Sequence, residues 1–269
     1  MRLRTCSLAL LPLLLCACGA QDTAGPPGTP TPSPANQEAP HVADTRQPAA
    51  PLPAPRADSV LYFISGVDGD GATGYEIANG SWIHYWYGLE FEAAGKRYYT
   101  GFAWITPEKY GNARERDDID PQARVTLAHA TFEASAPGSN TPWTLLGNEQ
   151  WIGEFGAAER GNEVDTSRTP QTHATPSGRL LLLVPTRSAD AGGAFQRTVE
   201  ALVFNPHELQ SVDERKWTYL GTLPAGDGGA ATEFVAREGS DLPDLRLPGD
   251  KPLEYRYDPA HTTYRSTSR

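Results

Sequence analysis

The stretch Trp82-Ile83-His84-Tyr85-Trp86-Tyr87-Gly88-Leu89-Glu90-Phe91-Glu92 decides the fold of this chain. Its residues alternate in character, as they do in a strand whose two faces meet different surroundings. We predict one face with Trp82, His84 and Trp86, and an opposite face with Ile83, Tyr85, Tyr87, Leu89 and Phe91. A turn at Gly95-Lys96 and a second strand from Tyr98 to Ile105 complete a predicted β-hairpin.

Strand patterns dominate the rest of the chain. We predict further strands at Val125–Phe132, Leu180–Val184, Thr198–Phe204, Trp217–Leu220, Thr232–Ala236 and Leu253–Tyr257. Helix signals are limited to Asn205-Pro206-His207-Glu208 and Thr106-Pro107-Glu108, where a proline could open a turn or two. The sequence therefore predicts a mostly β protein with antiparallel sheets and little helix.

A five-residue pattern suggests an internal duplication. Trp143-Thr144-Leu145-Leu146-Gly147 recurs as Trp217-Thr218-Tyr219-Leu220-Gly221, and a valine, Val125 or Val199, precedes each tryptophan by 18 residues. Upstream of each valine we predict another strand, opened by a glycine and a basic residue and closed by Pro107 or Pro185. These features predict two repeated meander units, residues 95–150 and 178–224, in a sandwich, propeller-like or barrel arrangement with the tryptophans in the core.

The N-terminus carries a targeting signal. Arg2 and Arg4 precede an apolar run, Leu8 to Leu15, which is far shorter than the roughly 20 residues of a membrane-spanning helix. The run ends in Leu15-Cys16-Ala17-Cys18, which resembles the lipobox of bacterial lipoprotein precursors. The alternative is an ordinary secretory signal that is cut near Ala20.

The lipobox resemblance implies where in the cell the protein is located. It implies that residues 1–17 are a signal peptide and that Cys18 becomes acylated, so that the lipid bilayer is a partner through this residue. Several acyl chains anchor a protein stably where one does not. Gly19 is not the aspartate that retains lipoproteins of this class at the inner membrane. The resemblance therefore implies the outer membrane, with the protein facing the periplasm.

The mature chain divides into a tether and a domain. Residues 18–56 are rich in Pro, Ala and Thr and contain almost no large apolar side chain, so we predict a disordered tether. Residues 57–269 then form a β-rich periplasmic domain, long enough for one substantial core. Cys6 and Cys16 leave with the signal, so this domain has neither a disulfide nor a cysteine-based metal site.

The charge balance limits the class of partner. The whole chain has a net charge of −10, and removal of Arg2 and Arg4 with the signal leaves −10 − 2 = −12. This acidity argues against nucleic acid and against an anionic membrane surface as partners, and it is compatible with a basic protein partner.

Standard catalytic motifs are missing, and the six histidines are scattered without metal-ligand spacing. Asp68 and Asp70 begin like a calcium loop, but Ala72 and Asn79 replace residues that such a loop needs. We therefore predict no cofactor and leave enzymatic activity uncertain, with binding favoured over catalysis.

Three functions remain open. The first is an inhibitor or immunity-type lipoprotein for a basic cell-wall hydrolase, with Asp117, Asp118 and Asp120 as partner-binding candidates. The chain resembles such periplasmic lipoproteins in layout, an acidic β domain on a lipid anchor. The alternative is a glycan-binding or envelope-scaffolding lipoprotein that uses Trp82 and Trp86. The third is a hydrolase whose site only the fold would bring together.

Overall fold

A computed structural model describes residues 52–267, except for 79, 109–122, 190–193, 226–229 and 250. These residues belong to one compact unit, Ala50–Arg269. Within them the chain forms a single helix, α1 (Ala57–Ser65), followed by strands only. The strands are β1 (Gly74–Glu76), β2 (Trp82–Ala93), β3 (Lys96–Ile105), β4 (Val125–Ala134), β5 (Trp143–Phe155), β6 (Glu163–Val164), β7 (Gln171–Ala174), β8 (Leu180–Ala189), β9 (Phe195–Phe204), β10 (Trp217–Pro224), β11 (Glu233–Val235), β12 (Asp244–Leu247), β13 (Leu253–Asp258) and β14 (Thr263–Ser266).

The strands form three antiparallel sheets. The first sheet is the meander β1-β2-β3-β4-β5. The second sheet has the order β10-β9-β8, and β6 and β7 both pair with the outer side of β8. The third sheet is the meander β11-β12-β13-β14. The prediction of a mostly β fold with antiparallel sheets and little helix is confirmed, and of the three arrangements left open the sandwich-like one fits.

Three apolar cores separate four layers. The first and second sheets enclose a core that contains Phe102, Phe155 and Trp217. On the other face of the first sheet, α1 covers a second core with Val60 and Leu61. The third sheet packs on the outer face of the second, so the order of layers is α1, first sheet, second sheet, third sheet.

The burial of β8 on both faces explains its sequence. Leu180, Leu182 and Val184 point into the core between the first two sheets, and Leu181 and Leu183 point into the core beneath the third sheet. A strand covered on both faces is a continuous apolar run, because neither face needs to be polar.

The prediction that a proline closes the second unit's first strand is wrong. Strand β8 continues through Pro185 to Ala189. The Pro185 carbonyl accepts the Asp165 N–H (2.9 Å) on the side away from β9, so the missing proline N–H falls between the short partners β6 and β7. A proline is tolerated where no ladder hydrogen bond is required of it.

A bulge in β2 corrects the predicted face assignment. Tyr85 pairs with Ala103 and Tyr87 with Phe102, so Trp86 is an extra residue in the ladder. Beyond the bulge, Tyr87, Leu89 and Phe91 lie in the same core as Trp86 rather than on the opposite face. Simple alternation fails here because one inserted residue reverses every later side chain.

The two W-T-x-L-G segments have the same backbone register. Trp143 and Trp217 each pair with the last residue of the preceding strand, and each strand bulges at the leucine, Leu146 or Leu220. Both tryptophans are buried, as predicted. The two valines are not equivalent. Val125 pairs with Phe155, twelve residues after Trp143, whereas Val199 pairs with Leu223, only six residues after Trp217. The duplication itself stays a prediction.

The helix predicted at Asn205–Glu208 does not form, and a turn opened by Pro107 would run into residues 109–122, outside the described residues. Asn205 makes the expected cap-like bond, its Oδ1 accepting the His207 N–H (3.0 Å), but no helix follows. The helix that forms is α1, in which Val60, Leu61 and Ile64 face the core and Gly66 ends the helix with φ 71°. None of the helices in the described ranges is long and apolar enough to cross a membrane.

Candidate functional site

Three aromatic rings of the first sheet form a column. The Trp82 and His84 ring centroids lie 5.9 Å apart at an interplanar angle of 19°, and those of His84 and Trp104 lie 4.0 Å apart at 24°. Trp104 packs against the main core, whereas Trp82 is 39% exposed. The column therefore runs from the core to a tryptophan that is available to a ligand.

Backbone contacts fix this column. The Trp82 N–H donates to Thr106 Oγ1 (2.8 Å), and the Thr106 N–H donates to the Trp82 carbonyl (2.9 Å). A Cβ atom at Gly74 would lie 2.4 Å from Nδ1 of His84, so only glycine lets β1 pass this ring. Burial lowers the pKa of His84, so the neutral imidazole predominates at pH 7.

A tight turn, residues 157–160, stands beside the column. The Ala157 N–H donates to the Arg160 carbonyl (2.9 Å), and the Arg160 N–H donates to the Ala157 carbonyl (3.3 Å). Gly156 enters the turn at φ 67°, and a Cβ at Gly161 would lie 2.8 Å from Cδ1 of Trp104. The turn is thus seated directly on the aromatic column.

The column and the turn enclose a cleft, which we call the aromatic cleft. Its volume is about 260 Å³. It is lined by Trp82, His84, Thr106, Pro107, Glu108, Ala158 and Glu159. Flat aromatic surface beside two carboxylates offers both an apolar platform and hydrogen-bond acceptors.

A second cleft, which we call the arginine cleft, lies on the other side of the same turn. Its volume is about 300 Å³. Arg124, Arg160 and Arg187 line it, together with Asn162 and Phe195. Guanidinium groups present planar sets of N–H donors that suit carboxylate and phosphate groups.

Acidic side chains orient two of these arginines, Arg187 and Arg160. Arg187 donates to Oδ1 of Asp165 (3.0 Å), whose side chain is fully buried. Arg168 binds the other carboxylate oxygen (2.9 Å), and the Ser167 hydroxyl donates to Oδ1 (2.5 Å). The Ser167 hydroxyl and the two arginines hold the pKa of Asp165 well below its usual range despite burial. Arg160 forms its own ion pair with Glu163.

A buried carboxyl group lies behind the arginine cleft. Glu200 accepts hydrogen bonds at Oε1 from Asn162 Nδ2 (2.7 Å) and Thr186 (3.0 Å), and at Oε2 from Tyr219 (2.6 Å) and Thr222 (2.8 Å). The Asn162 carbonyl accepts the Trp86 indole N–H (2.7 Å). Asn162 and Thr222 also line the arginine cleft, so this network supports the wall of that cleft.

One set of side chains among the described residues has the hydrogen-bond geometry of a hydrolase triad. Oγ1 of Thr131 lies 3.0 Å from Nδ1 of His129, and Nε2 of His129 lies 3.0 Å from Oε2 of Glu149, as in a nucleophile, base and orienting acid. Thr131 and His129 are both fully buried, however, and the Trp217 indole N–H donates to Thr131 Oγ1 (3.2 Å). No substrate can reach this threonine in the folded state, so the network is structural.

The predicted site residues fall into separate places. Trp82 lies at the mouth of the aromatic cleft, whereas Trp86 packs into the core, with its N–H bound to Asn162. Asp68 accepts the Asp70 N–H (2.9 Å), and the described residues contain no group of three His, Cys, Asp or Glu side chains that could hold a metal. Cys18, Asp117, Asp118 and Asp120 lie outside the described residues.

Sequence reasoning missed the 157–160 turn and the three arginines. These residues are far apart in the chain, and only the packing of Gly161 on Trp104 brings the turn to the column. The glycine pair Gly156 and Gly161 was the available signal, since glycines that bracket a short segment are typical of a tight turn. Comparison with protein-family models, curated proteins and solved structures finds no match to this chain.

Proposed function

We propose that this protein is an envelope lipoprotein that binds a glycan in its aromatic cleft. The observation that carries the proposal is the column Trp82–His84–Trp104, which is anchored in the core and ends in a tryptophan that is 39% exposed. A large aromatic side chain held open at a cleft, rather than buried, is typical of a binding site.

The chemistry of the cleft suits a sugar ring. A pyranose ring has an apolar face of C–H groups that stacks on an indole, and hydroxyl groups around its edge that need acceptors. Trp82 supplies the platform, and the carboxylates of Glu108 and Glu159 can accept from the hydroxyls. A volume of about 260 Å³ accommodates one or two sugar rings rather than a protein surface.

The anchor is part of the same proposal. The support for it is the pattern Leu15-Cys16-Ala17-Cys18 after a short apolar run, which implies acylation of Cys18 and an outer-membrane position facing the periplasm. Metabolic labelling with an alkyne fatty acid tests it. We expect label on the wild-type chain and none on Cys18→Ala, and equal labelling of both would contradict the anchor.

The inhibitor hypothesis rests on Asp117, Asp118 and Asp120, which lie outside the described residues, so it stays a prediction. The glycan proposal is preferred because its residues form a cleft with a defined platform and acceptors. Binding of a basic hydrolase that is unaffected by substitution of Trp82 would favour the inhibitor hypothesis instead.

The test compares two exposed tryptophans. Chitin oligosaccharides are titrated by calorimetry into the full-length protein in detergent, and into its Trp82→Ala and Trp151→Ala variants. Trp151 is 55% exposed and does not line the aromatic cleft, so it is the matched control. We expect Trp82→Ala to weaken binding about tenfold or more, equivalent to about 1.4 kcal/mol. Equal affinities for both variants would contradict the proposal.

A further inference from the structure

The 157–160 turn lies between the two clefts. Ala158 and Glu159 at its tip line the aromatic cleft, and Ala157 and Arg160 at its base line the arginine cleft. Glu159 and Arg160 are consecutive, so their Cα atoms are only about 3.8 Å apart. The two clefts therefore share this turn as a common wall.

The arginine cleft exposes arginine side chains and the partly exposed Glu163, whereas two further acids are buried beneath them. The side chains of Arg160 and Arg187 are 59% and 46% exposed, whereas that of Asp165 is fully buried. Glu200 is also fully buried behind the cleft. Exposed guanidinium groups in front of buried, hydrogen-bonded acids can meet an anion from solvent with their remaining N–H donors, because each guanidinium has five.

The arginine cleft is rich in basic residues although the protein as a whole is acidic. The chain has a net charge of −10, yet three arginines converge on one cleft in which Glu163 is the only acidic lining residue among those described. The paired acids hold Arg160 and Arg187 in position, which lowers the entropy lost when they bind a ligand.

We propose that the glycan is acidic, with its sugar rings on Trp82 and a carboxylate or phosphate substituent in the arginine cleft. This inference rests on the proposed function and names its substrate class. Carboxylate and phosphate share the chemistry that a guanidinium recognises, which is a planar or tetrahedral set of anionic oxygens that accepts paired N–H donors.

The experiment uses three probes with the full-length protein in detergent. They are peptidoglycan glycan strands stripped of peptides, which carry carboxylates; phosphomannan, which carries phosphates; and chitin oligosaccharides, which are neutral. The test variant is Arg124→Gln with Arg160→Gln, which leaves the Asp165 ion pairs intact. The matched control is Arg246→Gln with Arg256→Gln, two exposed and ion-paired arginines of the third sheet.

We expect the wild-type protein to bind one or both anionic glycans about tenfold more tightly than the neutral one, with a preference that falls at high salt. The Arg124/Arg160 variant loses this preference and keeps its affinity for chitin oligosaccharides, and the Arg246/Arg256 control keeps both. The stronger of the two anionic ligands identifies carboxylate or phosphate as the recognised group.

Two failures can be told apart. If the wild type binds neutral and anionic glycans equally, or if the Arg124/Arg160 variant keeps the preference, the acidic-glycan inference is overturned. In that case the effect of Trp82→Ala on chitin oligosaccharides still supports glycan binding. If Trp82→Ala changes the affinity for none of the three probes, the proposed function itself fails.

Discussion

At the scale of single residues, buried polar groups are the features that constrain this fold most. Glu200 is fully buried and accepts four hydrogen bonds, and Trp217 is fully buried with its indole N–H shared between Thr100 Oγ1 (3.1 Å) and Thr131 Oγ1 (3.2 Å). A buried polar group costs free energy when its partner is lost, so each network allows few alternative packings.

Replacement of Glu200 tests this point. Glu200→Leu removes the acceptor of four hydrogen bonds, and we expect it to lower the free energy of unfolding by about 3 kcal/mol. Glu200→Gln keeps one carbonyl acceptor and should cost less. Urea denaturation of both variants measures the difference. A Leu variant as stable as the wild type would show that the network contributes nothing net.

The buried histidine predicts a pH dependence. Burial lowers the pKa of His129, opposed by its bond to Glu149, and hydrogen bonds from His129 and the Lys216 backbone hold the pKa of Glu149 below its usual value despite burial. The folded state therefore binds the histidine proton less readily than the unfolded state does. Stability is full above the ordinary histidine pKa of about 6.5 and falls as the pH drops below it, by up to about 1.4 kcal/mol per pH unit.

Urea denaturation between pH 7.5 and pH 5 checks this expectation in a range where carboxylates titrate little. Burial also lowers the pKa of His84, so His84→Gln serves as a control that removes the contribution of this less buried ring. Most of the slope should remain in that variant. A free energy of unfolding that stays flat from pH 7.5 to pH 5 would contradict the assignment of a neutral, buried His129.

At the scale of elements, the turn between β2 and β3 contains a residue type that its backbone conformation disfavours. Ala93 pairs with Lys96, so Ala94 and Gly95 form a two-residue turn with φ 48° and 75°. Left-handed backbone strains alanine, whereas asparagine tolerates it, and Asn-Gly is the preferred pair in such turns. We expect Ala94→Asn to raise the free energy of unfolding by about 0.5–1 kcal/mol. Thermal unfolding measures this change in stability, and a lower Tm for Ala94→Asn than for the wild type would contradict the turn geometry.

The docking of α1 on the first sheet depends on a glycine in β3. A Cβ at Gly101 would lie 2.5 Å from Cγ2 of Val60. We expect Gly101→Ala to cost about 1–3 kcal/mol by overpacking, and Val60→Ala in the same chain to recover part of that cost. A double-mutant cycle by urea denaturation measures the coupling. Strictly additive effects would mean that the two residues are not in contact.

The elements show where sequence reasoning succeeds. The apolar run Leu180–Val184 and the alternation in β2 and β3 predicted strands because their periodicity records burial directly. The W-T-x-L-G segments predicted two strands that prove to share register and bulge. The helix α1 was not predicted, since its short run of aliphatic and aromatic residues fits a buried strand equally well.

At the scale of the whole molecule, the layers explain the placement of the two repeated segments. Trp143 lies in the core under α1, and Trp217 lies in the core between the first and second sheets. In both sheets the face that carries the tryptophan is therefore turned toward α1. The two sheets are stacked in the same orientation, and their tryptophan-bearing faces do not face each other. Such stacking buries both faces of the second sheet and leaves the clefts at the ends of the strands.

The candidate site could be predicted only in part. Trp82 was identified from its strand, but the bulge at Trp86 and the approach of the 157–160 turn depend on contacts between distant segments. The arginine cleft joins Arg124, Arg160 and Arg187, which no local pattern connects. The periodicity of apolar residues predicts helices and strands, whereas a cleft depends on how distant segments pack together, which local sequence patterns do not show.

The most direct test of the glycan proposal is a crystal structure of the protein soaked with a chitin oligosaccharide. We expect a sugar ring stacked on the exposed face of the Trp82 indole, with hydroxyl groups directed at Glu108 and Glu159. A ring bound at another surface, or an aromatic cleft that stays empty at a saturating concentration of the oligosaccharide, would contradict it.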